Sequence, residues 1–334
     1  MRKRIFWLVI PLLMVVATVC FTHLAGASTF VPLTDQEALP TLLDGCRNAV
    51  ASVHSGQGKV AYYRWFQSPA GDIIETETAY QVTFSGDKFR LSVDEKYLKN
   101  LPTAPPPSEF MLFAPGTVRS RQVAYDGTKV TRYEPARNAA TIADIGSSAG
   151  RWGLQDYQGR VAFLGNGLLE PDKWFWMGPP RFTRTAPKIV GRETVNGDDC
   201  YVLEVVFARA TDPASHPVLT YWYWVDPTKG FTVVRRQSWV EGGPLYEQKA
   251  LFSEQEVELR QYADGVWGPA RVTHTEYSQI ADSSGQHPKN FTSITTYDPD
   301  FLVNVAVDDA ALRLALPSGT EVTDDSLQET YLAP

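Results

Sequence analysis

Pro217 to Val240 reads PVLTYWYWVDPTKGFTVVRRQSWV, and the fold follows from it. Leu219 to Asp226 are aromatic or β-branched almost throughout, Pro227-Thr228-Lys229-Gly230 makes a turn, and a second β-rich run goes from Phe231 to Trp239. Apolar runs of this length around a Pro/Gly turn predict two antiparallel strands. Strand side chains alternate with period two, so Leu219, Tyr221, Tyr223 and Val225 share one face while Thr220, Trp222 and Trp224 share the other. Both faces carry large amphipathic rings, whereas a sheet with one watery side alternates more cleanly. The expectation is a curved sheet with a broad apolar concave side that holds something. A Trp/Tyr-rich sheet covered by its own helices is the competing reading.

On the N-terminal side, Thr34-Asp35-Gln36-Glu37 has the form of a capping box. Leu39, Leu42, Leu43, Cys46, Val50 and Val53 then fall on one helical face, with Gly56 and Gly58 predicted to end the helix. A lone amphipathic helix needs a sheet to lie on. From Lys59 the texture turns to strands: 60–67, 73–84 and 89–93. The hairpin 121–125/129–133 closes on Asp126-Gly127, a pair suited to the positive φ of tight turns. Strands resume at 188 and run through 201–208, 218–225, 231–240, 246–260, 266–280 and 291–297, with a last one at Leu312 to Leu316. Residues 146–177 interrupt them: Leu154, Tyr157, Val161 and Leu164 lie at helical spacing before the apolar knot Trp174-Phe175-Trp176-Met177, which predicts a helical lid.

The chain of 334 residues opens MRKR, runs apolar to Phe21 and reaches Ala25-Gly26-Ala27. This pattern predicts a secretory signal peptide over 1–27 and a single β domain over 28–334. An uncleaved N-terminal membrane anchor is the alternative. Residues 1–27 hold three basic residues and no acid, so their removal takes the formal net charge from −7 to −10. So acidic a balance argues against nucleic acid, whose binding rests on a basic patch. Of the three cysteines, Cys46 and Cys200 lie beyond the leader. In an exported chain they can form a disulfide, or each can serve as a small buried hydrophobe.

Chemistry-bearing motifs are sparse. Gly146-Ser147-Ser148-Ala149-Gly150 matches G-x-S-x-G, but the nucleophile elbow needs alternating strands and helices, and everything after residue 185 reads as strand. His274 and Glu276 share a strand face, yet zinc needs three or four converging ligands. The acid pairs Asp198-Asp199, Asp308-Asp309 and Asp324-Asp325 fall at turns and strand ends, where carboxylates are ordinarily solvated. The sequence has no P-loop, no G-x-G-x-x-G and no CxxC, so neither an enzyme nor a cofactor is expected. The aromatics are the positive signal, with eight tryptophans beyond the leader. Trp65, Leu154, Tyr157, Trp174, Trp176, Tyr221, Trp222, Tyr223, Trp224 and Trp239 are the candidate lining of an apolar ligand site.

The order of elements, together with three short motifs, resembles the LolA-like superfamily of outer-membrane lipoprotein-sorting and carrier proteins. The motifs are Tyr125-Asp126-Gly127-Thr128-Lys129 leading to Tyr133-Glu134-Pro135, Trp224-Val225-Asp226-Pro227-Thr228-Lys229-Gly230, and Leu314-Ala315-Leu316-Pro317-Ser318-Gly319-Thr320-Glu321-Val322-Thr323-Asp324-Asp325. The resemblance implies a half-open antiparallel β-barrel with an N-terminal amphipathic helix and a helical lid. It implies an exported, periplasmic or envelope protein, peripheral to the membrane at most, that holds lipid or lipoprotein acyl chains in an apolar hollow. It also implies an arginine that latches the lid, for which Arg64, Arg90 and Arg132 are candidates. The alternative function is an envelope sensor or scaffold that binds a protein or glycan through its aromatic surface. The chain is longer than the small carriers and has extra strands around 240–290.

Overall fold

The structure, a computed structural model, describes residues 35–68, 71, 73–101, 114–147, 182–209, 217–242, 246–278, 280–282 and 285–334. Leu39–Pro334 forms one compact unit; of residues 1–38, the described part is Asp35–Ala38, the first turn of helix α1 (Asp35–Ala51). Among the described residues, no helix is long and apolar enough to cross a membrane.

The chain is mainly strand. In order these are β1 (Ser55–Gln67), β2 (Ile73–Ser85), β3 (Lys88–Leu101), β4 (Val118–Tyr125), β5 (Lys129–Glu134), β6 (Ala139–Asp144), β7 (Phe182–Arg184), β8 (Lys188–Val195), β9 (Asp198–Arg209), β10 (Val218–Asp226), β11 (Thr232–Gly242), β12 (Tyr246–Gln261), β13 (Trp267–Tyr277), β14 (Lys289–Tyr297), β15 (Leu302–Val303), β16 (Glu321–Asp324) and β17 (Glu329–Leu332), with the short helix α2 at Asp309–Leu312. They form one sheet. From β1 the chain meanders outward through β2, β3, β4 and β5 to β6. It re-enters at the other side, where β7 and β8 both border β9, and meanders back through β10, β11, β12 and β13 to β14, which pairs with β1. The C-terminus adds β16 parallel to β6, and β17 beyond it. Among the described residues, the two outer ends of this order do not pair, so the sheet is open.

Three turns are closed by the same device. Asp126 accepts hydrogen bonds from Thr128 N, Thr128 Oγ1 and Lys129 N at 2.8 Å each. Asp226, fully buried, does the same for Thr228 and Lys229. Asp324 does so for Ser326 and Leu327. A short acceptor side chain that reaches its own backbone two residues on pre-forms a turn, which gives the Asp-x-Thr-Lys and terminal Asp motifs a local cause. Asp324 is therefore buried and bonded, not solvated as its place at a strand end suggested.

The main core lies on one face, called inner here. It is built by Val60 and Tyr62 of β1, Tyr80, Val82 and Phe84 of β2, Phe89, Leu91 and Val93 of β3, and Val123 and Tyr125 of β4, with Tyr297, Phe301 and Val303. Three predicted boundaries shift. Helix α1 ends at Ala51, and Gly56 and Gly58 lie inside β1; a Cβ on Gly58 would stand 2.8 Å from the backbone Cα of Phe301, so the strand needs the glycine to let that loop approach. Leu42 and Cys46 of α1 are buried, but Val50 is 57% exposed, because Val53 in the following turn takes the place against the core. Leu312–Leu316 is not a strand: Leu312 ends α2, and Leu314 and Leu316 pack on Tyr133, Ala140 and Val322 on the outer face. Their alternation marks burial without pairing.

Candidate functional site

Cross-strand register sorts the predicted site residues onto two faces. One row runs Trp65, Thr292, Thr275, Glu254, Gln237, Trp222 and Glu204 across β1, β14, β13, β12, β11, β10 and β9. The adjacent row, one residue along and therefore on the opposite face, runs Thr76, Arg64, Ser293, His274, Gln255, Arg236, Tyr223 and Leu203.

The first row belongs to the outer face. Trp222 and Trp224 meet edge to face at 6.3 Å, and Trp222 and Trp239 lie tilted at 5.7 Å. Their indole N–H groups donate to Glu204 (Trp222, 3.0 Å), Glu193 (Trp224, 2.7 Å) and Gln237 (Trp239, 3.2 Å). Lys249 stands over Trp222 and Arg235 over Trp224. The Glu204 and Glu254 carboxyls are partly desolvated, which opposes ionisation. Lys188 and Trp222 at Glu204, and Gln237 and Arg235 at Glu254, still hold both below the usual carboxylate range. Trp224 is itself buried in a small outer-face core with Cys200, Val202 and Val234, against which Trp222 packs, and the cations stabilise the rings that cover it. Trp65 shares this face but stands five strand steps from Trp222, roughly 24 Å at ordinary strand spacing. Beside Trp224 a groove of about 330 Å³ is lined by Val195, Val234 and Val257 together with Glu193, Arg235, Glu256 and Glu258, a largely charged lining unsuited to an acyl chain.

The inner face carries Tyr221 and Tyr223, stacked at 6.1 Å, with Phe207 edge-on to Tyr221 at 5.2 Å. Leu203, Val205, Val225 and Val240 are buried with them. Helix α1 reaches this wing at Phe231, whose carbonyl accepts from the Cys46 thiol at 3.2 Å. The expected lining thus divides: Tyr221 and Tyr223 face inward, whereas Trp65, Trp222, Trp224 and Trp239 face outward. Leu154, Tyr157, Trp174 and Trp176 lie outside the described residues, as does all of the 146–177 lid except Gly146 and Ser147; Ser148 of the G-x-S-x-G motif is outside them too.

Between the two apolar wings the inner face is polar, which the sequence reading did not anticipate. Arg121 Nη1 donates to Glu95 Oε2 at 3.3 Å, and Arg64 Nη2 stands 3.7 Å from Glu95 Oε1. Arg119 and Arg132 both reach Glu134, at 2.8 and 2.9 Å. Burial opposes ionisation of Glu134, but these arginines hold its carboxyl below the usual range. Thr76, Thr78, Ser238, Ser253, Ser293 and Thr295 are buried alongside. His274 Nε2 lies 3.0 Å from Glu276 Oε1, and among the described residues no group of three potential metal ligands converges. Of the three latch candidates, Arg64 and Arg132 are on the inner face, while Arg90 is on the outer face and donates to Gln122.

A signal for this belt exists in the sequence. The inward row of β3 reads Phe89, Leu91, Val93, then Glu95; that of β2 reads Phe84, Val82, Tyr80, then Thr78 and Thr76; that of β4 reads Tyr125, Val123, then Arg121 and Arg119. The β2 and β3 rows change from apolar to polar at one height, Thr78 opposite Glu95, and the β4 row changes one pair earlier, with Arg121 opposite Val93.

Cys46 and Cys200 are free, buried thiols, so the disulfide is not formed. Burial pushes both up to about 12, helped at Cys200 by the negative charges of Asp226 and Asp198.

No protein-family model and no curated protein matches the sequence. Among solved structures the chain is similar to the lipoprotein LppX of Mycobacterium tuberculosis (11% identity, 81% of this chain and 98% of that one, TM-score 0.26). It is also similar to an uncharacterised conserved protein from Thermus thermophilus (8% identity, 86% and 99%, TM-score 0.25). It is likewise similar to a LolA superfamily protein from Nitrosomonas europaea, with 16% identity over 85% of this chain and 99% of that one, at a TM-score of 0.37.

Proposed function

We propose that this chain is an exported, non-enzymatic protein that holds an acyl lipid, free or attached to a protein, against the inner face of a half-open barrel. The observation that carries the reading is the inner face itself: apolar rings and branched side chains from β9, β10 and β11 on one wing and from β1, β2, β3 and β4 on the other, on a sheet whose outer strands leave it open. Each buried methylene contributes about 0.8 kcal/mol, so a chain of about fifteen carbons gains on the order of 12 kcal/mol relative to water. Extraction from a bilayer forfeits most of that gain, and such a carrier therefore works by small differences. Native mass spectrometry of protein purified from a membrane-containing host tests the reading. A bound mass that organic extraction identifies as lipid supports it. A ligand-free protein that also fails to take up added monoacylglycerol overturns it.

A second reading has its own observation, the outer Trp222–Trp224–Trp239 cluster under Lys249 and Arg235. In that reading the protein is an envelope scaffold that binds a protein or glycan by its outer face. Trp222→Ala with Trp239→Ala separates the two: a carrier keeps its lipid, and a scaffold loses its partner.

A further inference from the structure

The last strand leaves its outer side open. Among the described residues β17 pairs with β16 alone. Glu321 N donates to Asn138 O and Asp325 N to Ile142 O, so the odd-numbered residues of β16 serve β6. The even-numbered ones, Val322 and Asp324, therefore turn to β17, where they stand opposite Tyr331 and Glu329. Ala333 keeps the same phase, donating its N–H to Thr320 O. Thr330 and Leu332 consequently aim their backbone N–H and C=O groups the other way, out of the sheet's margin.

Side chains mark this margin as well. Tyr133, Ala140, Val322 and Tyr331 form one cross-strand row over β5, β6, β16 and β17. The first three are buried, whereas Tyr331 is 41% exposed, so the row is cut off where the sheet stops. Leu332 is 68% exposed, and Leu327 in the turn before it 59%. The opposite margin of the sheet is β8, which borders only β9 among the described residues. It carries Lys188 and Arg192 and a register irregularity between Ile189 and Gly191, devices that keep an edge strand from pairing. β17 has neither lysine, arginine nor irregularity, and its one charge is Glu329.

We infer that two copies of this chain associate by antiparallel pairing of β17 with β17, about a two-fold axis at Tyr331. In that register Thr330 exchanges both its backbone bonds with the partner's Leu332, and Leu332 with the partner's Thr330. Tyr331 faces the partner's Tyr331 in the closer, non-bonded kind of pair, where two rings attract, and the interrupted row continues across the axis. Glu329 falls opposite the partner's Ala333, so no like charges meet. A second copy supplies the required phase and the missing half of the row by symmetry alone, since a two-fold contact uses one patch twice. A margin of four residues buries less than the roughly 1,200 Å² of a standard interface, so the dimer dissociates at about 10–100 µM. The pairing does not depend on what the inner face holds.

The test is analytical ultracentrifugation of the full chain at about 1 µM and about 300 µM, which bracket that constant, together with amide hydrogen exchange at both concentrations. Monomer is expected at the lower and mostly dimer at the higher. Exchange at Thr330 and Leu332 should slow about threefold to eightfold between them, matching the fall in the monomer fraction. Tyr331→Lys sets two ammonium groups face to face across the axis. Thr330→Pro removes an outward N–H and no bond within the monomer, as proline on an edge strand can. Both variants should stay monomeric at the higher concentration, with the urea midpoint of the dilute protein unchanged. Monomer at both concentrations overturns the pairing and leaves the margin to a strand of some other protein. Protection of Thr330 and Leu332 at both concentrations overturns it too, because a segment of the same chain then already lies there. A dimer that survives both substitutions uses another surface and equally overturns it. A lowered midpoint in Thr330→Pro does so as well, since the N–H was then turned inward.

Discussion

Gly45 of α1 faces the ring of Phe231 so closely that a methyl group at position 45 would come within 2.3 Å of the ring's Cγ. Phe231 holds a left-handed backbone, φ 59°, directly after Gly230 in the β10–β11 turn, and the contact falls on Cγ, the ring's root atom, which rotation of the ring does not move. A glycine mid-helix normally costs about 1 kcal/mol relative to alanine; here it makes the helix–turn contact feasible.

Gly45→Ala is therefore expected to destabilise despite its gain in helix propensity. Overpacking costs about 1–3 kcal/mol, and a net loss of about 1–2 kcal/mol should appear in the urea midpoint with an unchanged slope. In a Phe231→Leu background the same substitution should cost less. An increase in stability would show that α1 does not seat on that ring.

Breaking the shared ion pair at Glu95 should be severe. Glu95→Gln removes a carboxylate from the buried Arg121, 5% exposed, and removal of one partner from a buried pair costs about 3–5 kcal/mol. The exposed Lys88–Asp309 pair, 3.4 Å apart, offers the contrast: Lys88→Ala should stay within about 0.5 kcal/mol of the parent. Thermal or urea unfolding of both variants checks the ranking.

Stability should fall in acid. At Asp324 the Ser326 hydroxyl, the backbone N–H groups of Leu327 and Ser326, and the nearby Lys129 lower the carboxyl's pKa. At Asp126 burial works against ionisation, yet Lys129 N–H and Thr128 prevail in the same direction. A folded-state pKa below the unfolded value of about 4 means the unfolded chain binds more protons. The contribution is therefore complete above about pH 5 and is lost as pH drops through the depressed values. Asp324→Asn should flatten the acid limb of a plot of urea midpoint against pH.

Cys46 and Cys200, raised to about 12 by burial, stay protonated at neutral pH, and the thiolate is the reactive form. Alkylation at pH 8, read peptide by peptide in a mass spectrometer, should be slow at both positions in the native protein and rapid above the unfolding midpoint. A Cys46–Cys200 bridged peptide in material handled without reductant would contradict the free thiols.

How far the sequence could be read follows from what each signal measures. Period-two alternation at Leu219–Val225 reports which side chains share a face, and the register bears that out: Tyr221 and Tyr223 point one way, Trp222 and Trp224 the other. Alternation does not report which face is the interior, so pooling both sets into one lining mixed inside with outside. The Asp-Gly and Asp-Pro turns were legible because their cause is local. The belt at Arg64, Glu95 and Arg121 depends on three strands aligned in register, a relation that no single window contains. Leu314 and Leu316 mimic a strand because contact with a sheet imposes the same spacing as membership in it.

The pairing of β1 with β14 joins Val60 to Tyr297, and this closure sets the timetable of folding. Each half of the meander is stitched from neighbours in the chain, but the seam between the halves must bridge more than two hundred residues, the kind of long loop closure that slows folding. As the polypeptide is synthesised, β1 finds β2 at once and then keeps a bare edge until its last partner emerges. A bare strand edge invites association with other chains, so the interval before β14 arrives is when this protein most needs a chaperone.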